Sequence, residues 1–123
     1  MRAVVSRVSR ARVVVDGTVV GALDGPGLLV LLGVHRDDGP DAPATMARKL
    51  HEMRLLRGEL SCAETGAGLL VVSQFTLYGD TRKGRRPSWS AAASPEVARA
   101  LVAAVTAALR ARGATVAEGE FGA

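Results

Sequence analysis

Short valine- and leucine-rich runs, separated by turn residues, occupy the first third of the chain. The runs 3–8 and 12–15 carry the β-branched residues typical of strands, and Asp16-Gly17 has the tight-turn chemistry that joins the second run to 18–20. These features predict an antiparallel meander. The almost continuous apolar run 28–34 predicts a strand that is buried on both faces.

An amphipathic helix is predicted after the Asp-, Gly- and Pro-rich loop 35–43. Met46, Leu50 and Met53 follow the helical period, so we expect them to form the stripe that faces the core. His51 falls on the polar side of this pattern, and we expect it to be exposed.

A second, longer helix is predicted near the end of the chain. Ser94 is a suitable N-cap, Pro95 suits the first helical position, and Gly113 would end the helix. The predicted buried stripe is Val97, Leu101, Val105 and Leu109, with Ala98, Ala104 and Ala108. A short strand is expected over 115–118, whereas 57–68 shows no period.

The stretch 69–89 combines a buried strand with the densest positive charge in the chain. The apolar run 69–72 ends in the polar residues Ser73 and Gln74. The cationic side chains that follow are Arg82, Lys83, Arg85 and Arg86. Two interpretations fit this pattern. One is a site for a ligand with a small group and a phosphate backbone, and the other is an ordinary strand followed by a solvated loop.

Composition narrows the class of protein. A chain of 123 residues is long enough for one domain with a core, and 48% hydrophobic residues with few aromatics predict a core of Val, Leu and Ala. The net charge of +4 permits a nucleic-acid partner. The single cysteine, Cys62, excludes an internal disulfide and fits a reducing compartment. Neither a signal peptide nor a membrane-spanning run is present, so we expect a cytoplasmic protein.

The sequence offers few groups for side-chain catalysis. His35, His51 and Cys62 lack metal-ligand spacing, and the glycines do not form a phosphate-binding motif, so we expect neither a metal nor a cofactor. A nucleophile, base and orienting acid cannot be assembled from the pattern either. The remaining chemistry is hydrolysis of an ester that is already activated.

The segment 73–88, SQFTLYGDTRKGRRPS, closely resembles the signature segment of the D-aminoacyl-tRNA deacylases, also called D-tyrosyl-tRNA deacylases. The stretches GLLVLLGVHRDD at 27–38 and GEFGA at 119–123 are also similar to that family. The resemblance implies an α/β (α+β) fold, with a curved antiparallel or mixed β-sheet and two main helices. It also implies a single domain over 1–123 and a homodimer.

The resemblance further implies a reaction in translation quality control. The family hydrolyses the ester that links a D-amino acid, or mischarged glycine, to the 3′-terminal adenosine of tRNA. The implied partners are aminoacyl-tRNA and a second copy of the chain, with no membrane and no DNA. The catalytic segment would be Ser73, Gln74, Phe75 and Thr76, and the residues that bind substrate or tRNA would be Arg7, Arg82, Lys83, Arg85 and Arg86.

Two mechanisms remain open at the catalytic segment. In the first, backbone N–H groups stabilise the oxyanion, and the substrate's 2′-hydroxyl assists the attacking water. In the second, the Thr76 hydroxyl is the nucleophile, although a hydroxyl without a base is a weak one.

The sequence also departs from the family pattern. After 119–123 the family continues into another strand and a Gly-Pro motif with a cis bond, which enters the partner's pocket and excludes L-amino acids. Arg7, whose family counterpart holds that motif, follows Ser6 where the family has Gln. Gly25-Pro26 and Gly39-Pro40 lie at other turns and are not equivalent. We therefore expect a truncated chain that is less stable, less active and less stereoselective.

Two alternatives to an active deacylase follow from this departure. The first is a catalytically lapsed relative that binds tRNA or other RNA through the loop 82–86. The second is a dimerisation module, against which the cationic loop argues.

Overall fold

The computed structural model describes residues 1–123, which form six strands, three α-helices and one 3₁₀ helix. The strands are β1 (Arg2–Val8), β2 (Ala11–Val15), β3 (Thr18–Leu23), β4 (Gly27–Gly33), β5 (Gly68–Ser73) and β6 (Val116–Glu118). The helices are α1 (Ala42–Glu52), α2 (Cys62–Thr65) and α3 (Pro95–Ala111), and the 3₁₀ helix is Phe75–Tyr78. The predicted mixed fold with two main helices is confirmed. None of the helices is long and apolar enough to cross a membrane.

The main sheet has the strand order β1-β4-β5-β6. β1 is antiparallel to β4, whereas β5 is parallel to both β4 and β6. β2 and β3 form a separate hairpin, and Asp16 and Gly17 have φ angles of 49° and 78°, as a type I′ turn requires. The hairpin is therefore confirmed, but the meander is wrong, because β1 pairs with β4 instead of β2. β4 lies inside the sheet, where its backbone groups need a hydrogen-bonded neighbour along each edge, and β1 and β5 supply these neighbours.

The core lies between the sheet and the two long helices. The fully buried side chains alternate along β4, whereas Leu69, Leu70 and Val71 of β5 are all buried. α1 and α3 pack over one face of these strands. The β2–β3 hairpin approaches the sheet near β6. At that crossing a Cβ on Gly21 would lie 2.0 Å from the Glu118 carbonyl oxygen, so only glycine allows this approach.

The buried stripe of α1 differs from the predicted one. The buried residues of α1 are Pro43, Ala47, Leu50 and His51. Met46 is only half-buried, and Met53 lies beyond the helix end with half of its surface exposed. His51 is 8% exposed, so its predicted exposure is wrong. Its Nδ1 accepts a hydrogen bond of 3.2 Å from Nε of Arg112, which makes burial of the imidazole tolerable.

The predicted ends of α3 are confirmed. Ser94 accepts a hydrogen bond from the Val97 N–H at 3.4 Å, and Gly113 has a φ of 86° just after the helix. The buried residues of α3 are Ala98, Val105, Thr106 and Leu109. Val97 was predicted to be buried and is 44% exposed, because the packed face begins one position later.

The short helix α2 was not predicted from the sequence. Ser61 and Glu64 form a capping box, in which the Ser61 hydroxyl accepts from the Glu64 N–H and the Glu64 carboxylate accepts from the Ser61 N–H. The Ser-x-x-Glu spacing is typical of a helix N-terminus and could have predicted this helix.

Candidate active site

The predicted catalytic segment, residues 73–76, begins where β5 loses its neighbour β4. The β4–β5 pairing ends at Leu32 and Ser73, and the Gln74 N–H donates to the Leu32 carbonyl at 2.8 Å. The 3₁₀ helix then crosses the end of β4 at Gly33, where a Cβ would lie 3.0 Å from the Leu77 Cβ. The sheet thus holds residues 73–76 at the carboxyl ends of two parallel strands.

Two backbone donors of the catalytic segment have no partner in the chain. The first N–H groups of a helix have no intrahelical acceptor. The Leu77 N–H donates to the Gln74 carbonyl at 3.3 Å, but the N–H groups of Phe75 and Thr76 donate to no protein atom. Two adjacent fixed donors suit an oxyanion or another anionic group.

The Thr76 hydroxyl is not activated by a base. Its Oγ1 accepts a hydrogen bond from the Gln74 side-chain amide, and no imidazole or carboxylate is hydrogen-bonded to it. The arrangement therefore favours Thr76 as a contributor of backbone N–H rather than as a nucleophile.

A cavity of about 470 Å³ opens beside this segment. Ser73, Gln74 and Phe75 line one side, but Thr76 does not. The other walls are formed by Val34, Trp89, Ala92, Ala93, Pro95, Ala98, Phe121, Gly122 and Ala123. Its size and mainly apolar lining are typical of a site for a small molecule or for the end of a larger one.

Aromatic rings concentrate at this cavity. Phe75 and Trp89 meet edge to face with their ring centroids 5.1 Å apart, and Phe121 lies on the same lining. Phe75 keeps 55% of its surface exposed, which leaves its ring available to a ligand. Trp89 and Phe121 were not among the predicted site residues. The signal was present in the composition, because the chain has only one tryptophan, one tyrosine and two phenylalanines.

The cationic loop, which contains residues 82–86, is closed by a pair of backbone hydrogen bonds. The N–H groups and carbonyls of Asp80 and Ser88 bond reciprocally at 2.7 Å. Arg82 forks onto the Asp80 carboxylate, with Nη2 to Oδ2 at 2.7 Å and Nε to Oδ1 at 3.0 Å. The hydrogen bonds from Arg82, with its charge, lower the pKa of Asp80 to about 2. The other cations of the loop, which make no ion pair within the chain, are Lys83, Arg85 and Arg86.

Arg7 lies at the other end of the sheet. It is exposed on β1 and pairs with Leu28, which in turn pairs with Leu69 near the start of β5. Ser73 lies four residues further along β5, roughly 13 Å away at the usual rise per residue. Within one chain the structure does not bring Arg7 to the cavity, and its role in the site stays a prediction.

The histidines and the cysteine are held by packing and hydrogen bonds within the fold. Cys62 is buried in the core, which raises the pKa of its thiol, and His51 is bonded to Arg112. The ring of His35 packs edge to face on Tyr78 at 5.1 Å. No three His, Cys, Asp or Glu side chains lie close enough together to hold a metal ion.

Together these features define a small α/β domain with an apolar pocket, fixed backbone donors at a strand end and a neighbouring cationic loop. The sequence profile of one family, described as D-Tyr-tRNA(Tyr) deacylase, matches residues 4–123. The chain belongs to this family, and the predicted resemblance is confirmed.

Individual relatives and solved structures agree with this assignment. The chain is 63% identical to a D-aminoacyl-tRNA deacylase of Kineococcus radiotolerans and 62% identical to one of Acidothermus cellulolyticus, over 100% of this chain and 87% of each relative. A solved structure titled c-Myc DNA Unwinding Element Binding Protein superposes with a TM-score of 0.90 at 34% identity, covering 100% of this chain and 87% of that one. A probable eukaryotic D-amino acid tRNA deacylase has a TM-score of 0.83 over 98% of this chain and 88% of its own. At 19% identity, this last likeness concerns the fold alone.

Proposed function

We propose that this chain hydrolyses the ester between a D-amino acid, or mischarged glycine, and the 3′-terminal adenosine of tRNA. Relatives more than 60% identical carry the name of this activity. The observation that carries the proposal is the pair of unpartnered N–H groups, on Phe75 and Thr76, beside an apolar cavity of about 470 Å³. Such donors can stabilise the charge that develops on an ester carbonyl oxygen.

The reaction needs no protein nucleophile. Water adds to the ester carbonyl, and the negative charge on the carbonyl oxygen is accepted by the backbone donors. The bond to the ribose oxygen then breaks, and that oxygen takes up a proton to give the terminal hydroxyl and a free amino acid. The vicinal ribose hydroxyl can assist the water, so the side chains mainly bind and orient the ester.

The surrounding residues have separate roles in this proposal. The exposed rings of Phe75 and Trp89 offer apolar contact to the terminal base or to the amino acid. The unpaired cations Lys83, Arg85 and Arg86 contact tRNA phosphates, and their lack of carboxylate partners supports this role.

We also propose a domain organisation, a location in the cell and an oligomeric state for the protein. Residues 1–123 act as one domain, because sheet and helices share one hydrophobic cluster. The protein works in the cytoplasm, where aminoacyl-tRNA is used, and as a homodimer. β1 supports the dimer, since it is an edge strand with Val4 49% exposed. Arg7, on the same strand, would then serve the partner's substrate.

The alternative of a lapsed RNA-binding relative is not favoured. The cationic loop fits both functions, but the cavity and the fixed donors favour a bound ester, and the close relatives carry the deacylase name.

The test is hydrolysis of D-tyrosyl-tRNA by the purified protein, with L-tyrosyl-tRNA as the matched substrate. We expect release of D-tyrosine well above the spontaneous rate. No hydrolysis together with intact tRNA binding would contradict the proposal and support the RNA-binding alternative.

Thr76→Ala separates the two mechanisms in the same assay. The variant keeps the backbone N–H, so we expect it to retain most single-turnover hydrolysis. Near-complete loss of hydrolysis in a folded variant would identify the hydroxyl as the nucleophile.

A further inference from the structure

A second cavity, of about 380 Å³, lies beside the first and is mainly polar. Its principal side chains are Arg2, His35, Tyr78, Asp80, Thr81 and Arg82. The two cavities are neighbours. Trp89 lines the first and Gly79 the second, and a Cβ on Gly79 would lie only 2.6 Å from the Trp89 ring.

Arg2 presents a fixed and uncompensated positive charge to this second cavity. Its Nη1 donates to the Leu77 carbonyl at 3.0 Å, and its Cζ lies 4.6 Å from the centroid of the Tyr78 ring. No carboxylate forms an ion pair with it. Because a guanidinium has five N–H donors, most of those of Arg2 remain free to bind an anion, and the two contacts limit its motion.

The other polar groups of the second cavity are mostly donors. Arg82 uses Nε and Nη2 on Asp80, which leaves its Nη1 free. His35 Nδ1 accepts from the Asp37 N–H at 3.0 Å, which assigns the ring proton to Nε2 as a further donor. The one carboxylate, Asp80, is already occupied by Arg82. The lining therefore suits a small anion that is rich in acceptor oxygens.

The two cavities lie at opposite ends of the 3₁₀ helix. Phe75 lines the first cavity and Tyr78 the second, and a 3₁₀ helix advances by roughly 6 Å over these three residue steps. A nucleoside in the first cavity would therefore place its 5′ phosphate within reach of the second.

We infer that the second cavity binds the phosphodiester immediately 5′ of the terminal adenosine, with Arg2 as its main ligand. This inference rests on the proposed function, because it takes the terminal adenosine to occupy the first cavity. Arg2 would be a binding residue that distinguishes the end of an RNA chain from a free aminoacyl-adenosine.

The experiment compares three D-tyrosyl esters that differ only at this phosphate. The first is adenosine alone, the second is cytidylyl-adenosine, and the third is cytidylyl-adenosine with a neutral methylphosphonate linkage. For the unmodified protein we expect kcat/KM on the second ester to exceed the others by about tenfold, as one charge-assisted contact allows. Arg2→Met should bring the ratio of kcat/KM for the charged dinucleotide ester to that for the neutral one down to about one.

The matched control is Arg48→Met, which removes the same charge from an exposed position on α1 that makes no ion pair. This control variant should still have a higher kcat/KM on the ester with the charged phosphate than on the other two. If Arg2→Met slowed all three esters equally, Arg2 would act through the fold, and the inference would be overturned.

A binding measurement separates this inference from the proposed function. Titration of the unesterified dinucleotide, with charged and neutral linkages, reports phosphate recognition even in the absence of hydrolysis. We expect the charged form to bind about tenfold more tightly to the unmodified protein and equally to Arg2→Met. Equal binding of both forms to the unmodified protein would overturn the inference.

Discussion

The strand pair β4–β5 and the segment 74–93 that follows it are stabilised in opposite ways. The strands carry fully buried apolar side chains, including Leu28, Val30 and Leu69. The segment has a run of exposed residues from 81 to 90. It is held by backbone hydrogen bonds, one carboxylate–guanidinium pair and the Phe75–Trp89 contact. The first region fixes where the site lies, and the second determines what it can bind. Substitutions should therefore affect stability in one region and activity in the other.

The largest effect on stability is expected from Leu69→Ala. Leu69 is fully buried in β5, and a truncation of this kind leaves a cavity that costs about 2–5 kcal/mol of the free energy of unfolding. Chemical denaturation measures the loss. Because the two regions have separate roles, we expect this variant to hydrolyse the substrate at an unchanged rate per folded molecule. A marked fall in that rate would contradict the separation of roles.

The largest effect on activity is expected from Phe75→Pro compared with Phe75→Ala. Both variants lose the ring, but only proline also removes the backbone N–H. Gln74 has φ −146° and ψ 91°, which is outside the α region that a following proline disfavours. Removal of an oxyanion donor typically lowers kcat by about a hundredfold or more, so we expect the proline variant to be slower than the alanine variant by that factor. Similar single-turnover rates for the two would argue against the donor.

A smaller effect is expected from the double variant Arg85→Gln, Arg86→Gln. Loss of two phosphate contacts should reduce the slope of log affinity for tRNA against log salt by about 1.4, at roughly 0.7 per contact for a single strand. Filter binding across a salt series measures the slope. Arg48→Gln together with Arg57→Gln is the control for net charge, and an unchanged slope in the loop variant would make the loop a solvated surface.

The smallest effect concerns the Asp80–Arg82 pair. Because Arg82 lowers the pKa of Asp80 to about 2 in the folded protein, the stability that this pair contributes is present above the ordinary carboxyl pKa of about 3.9. It is lost as the pH falls through about 2. Arg82→Gln should return the Asp80 pKa to its ordinary range in an NMR titration. Arg82 is exposed and Asp80 is partly exposed, so added salt should reduce the difference, and an Asp80 pKa insensitive to Arg82 would disprove the pairing.

Features set by neighbouring residues were predictable from the sequence. The Asp16-Gly17 turn, the Ser94 cap and the buried run in β5 each depend on local chemistry, and the structure has all three. The segment 73–76 was found through its resemblance to a family, since no periodic pattern marks a 3₁₀ helix of four residues.

Features set by distant residues were not predictable. The burial of His51 depends on Arg112, which lies 61 positions later, and the pairing of β1 depends on which strand needs a neighbour. The contacts of Arg2 could not be predicted either, because its partners, Leu77 and Tyr78, come from the far end of the 3₁₀ helix. A pattern confined to one segment cannot report a partner from another.

The parallel pairing of β4 and β5 also has a consequence for how the chain folds. Gly27 pairs with Gly68, so a loop of roughly 40 residues must close before the central strands meet, which is slower than forming local contacts. At a synthesis rate of about 5–20 residues per second, β4 leaves the ribosome several seconds before its partner. During that interval an apolar strand has only β1 to pair with. The predicted catalytic segment begins at the end of β5, so the pocket can form only after this late step, and folding intermediates should be inactive.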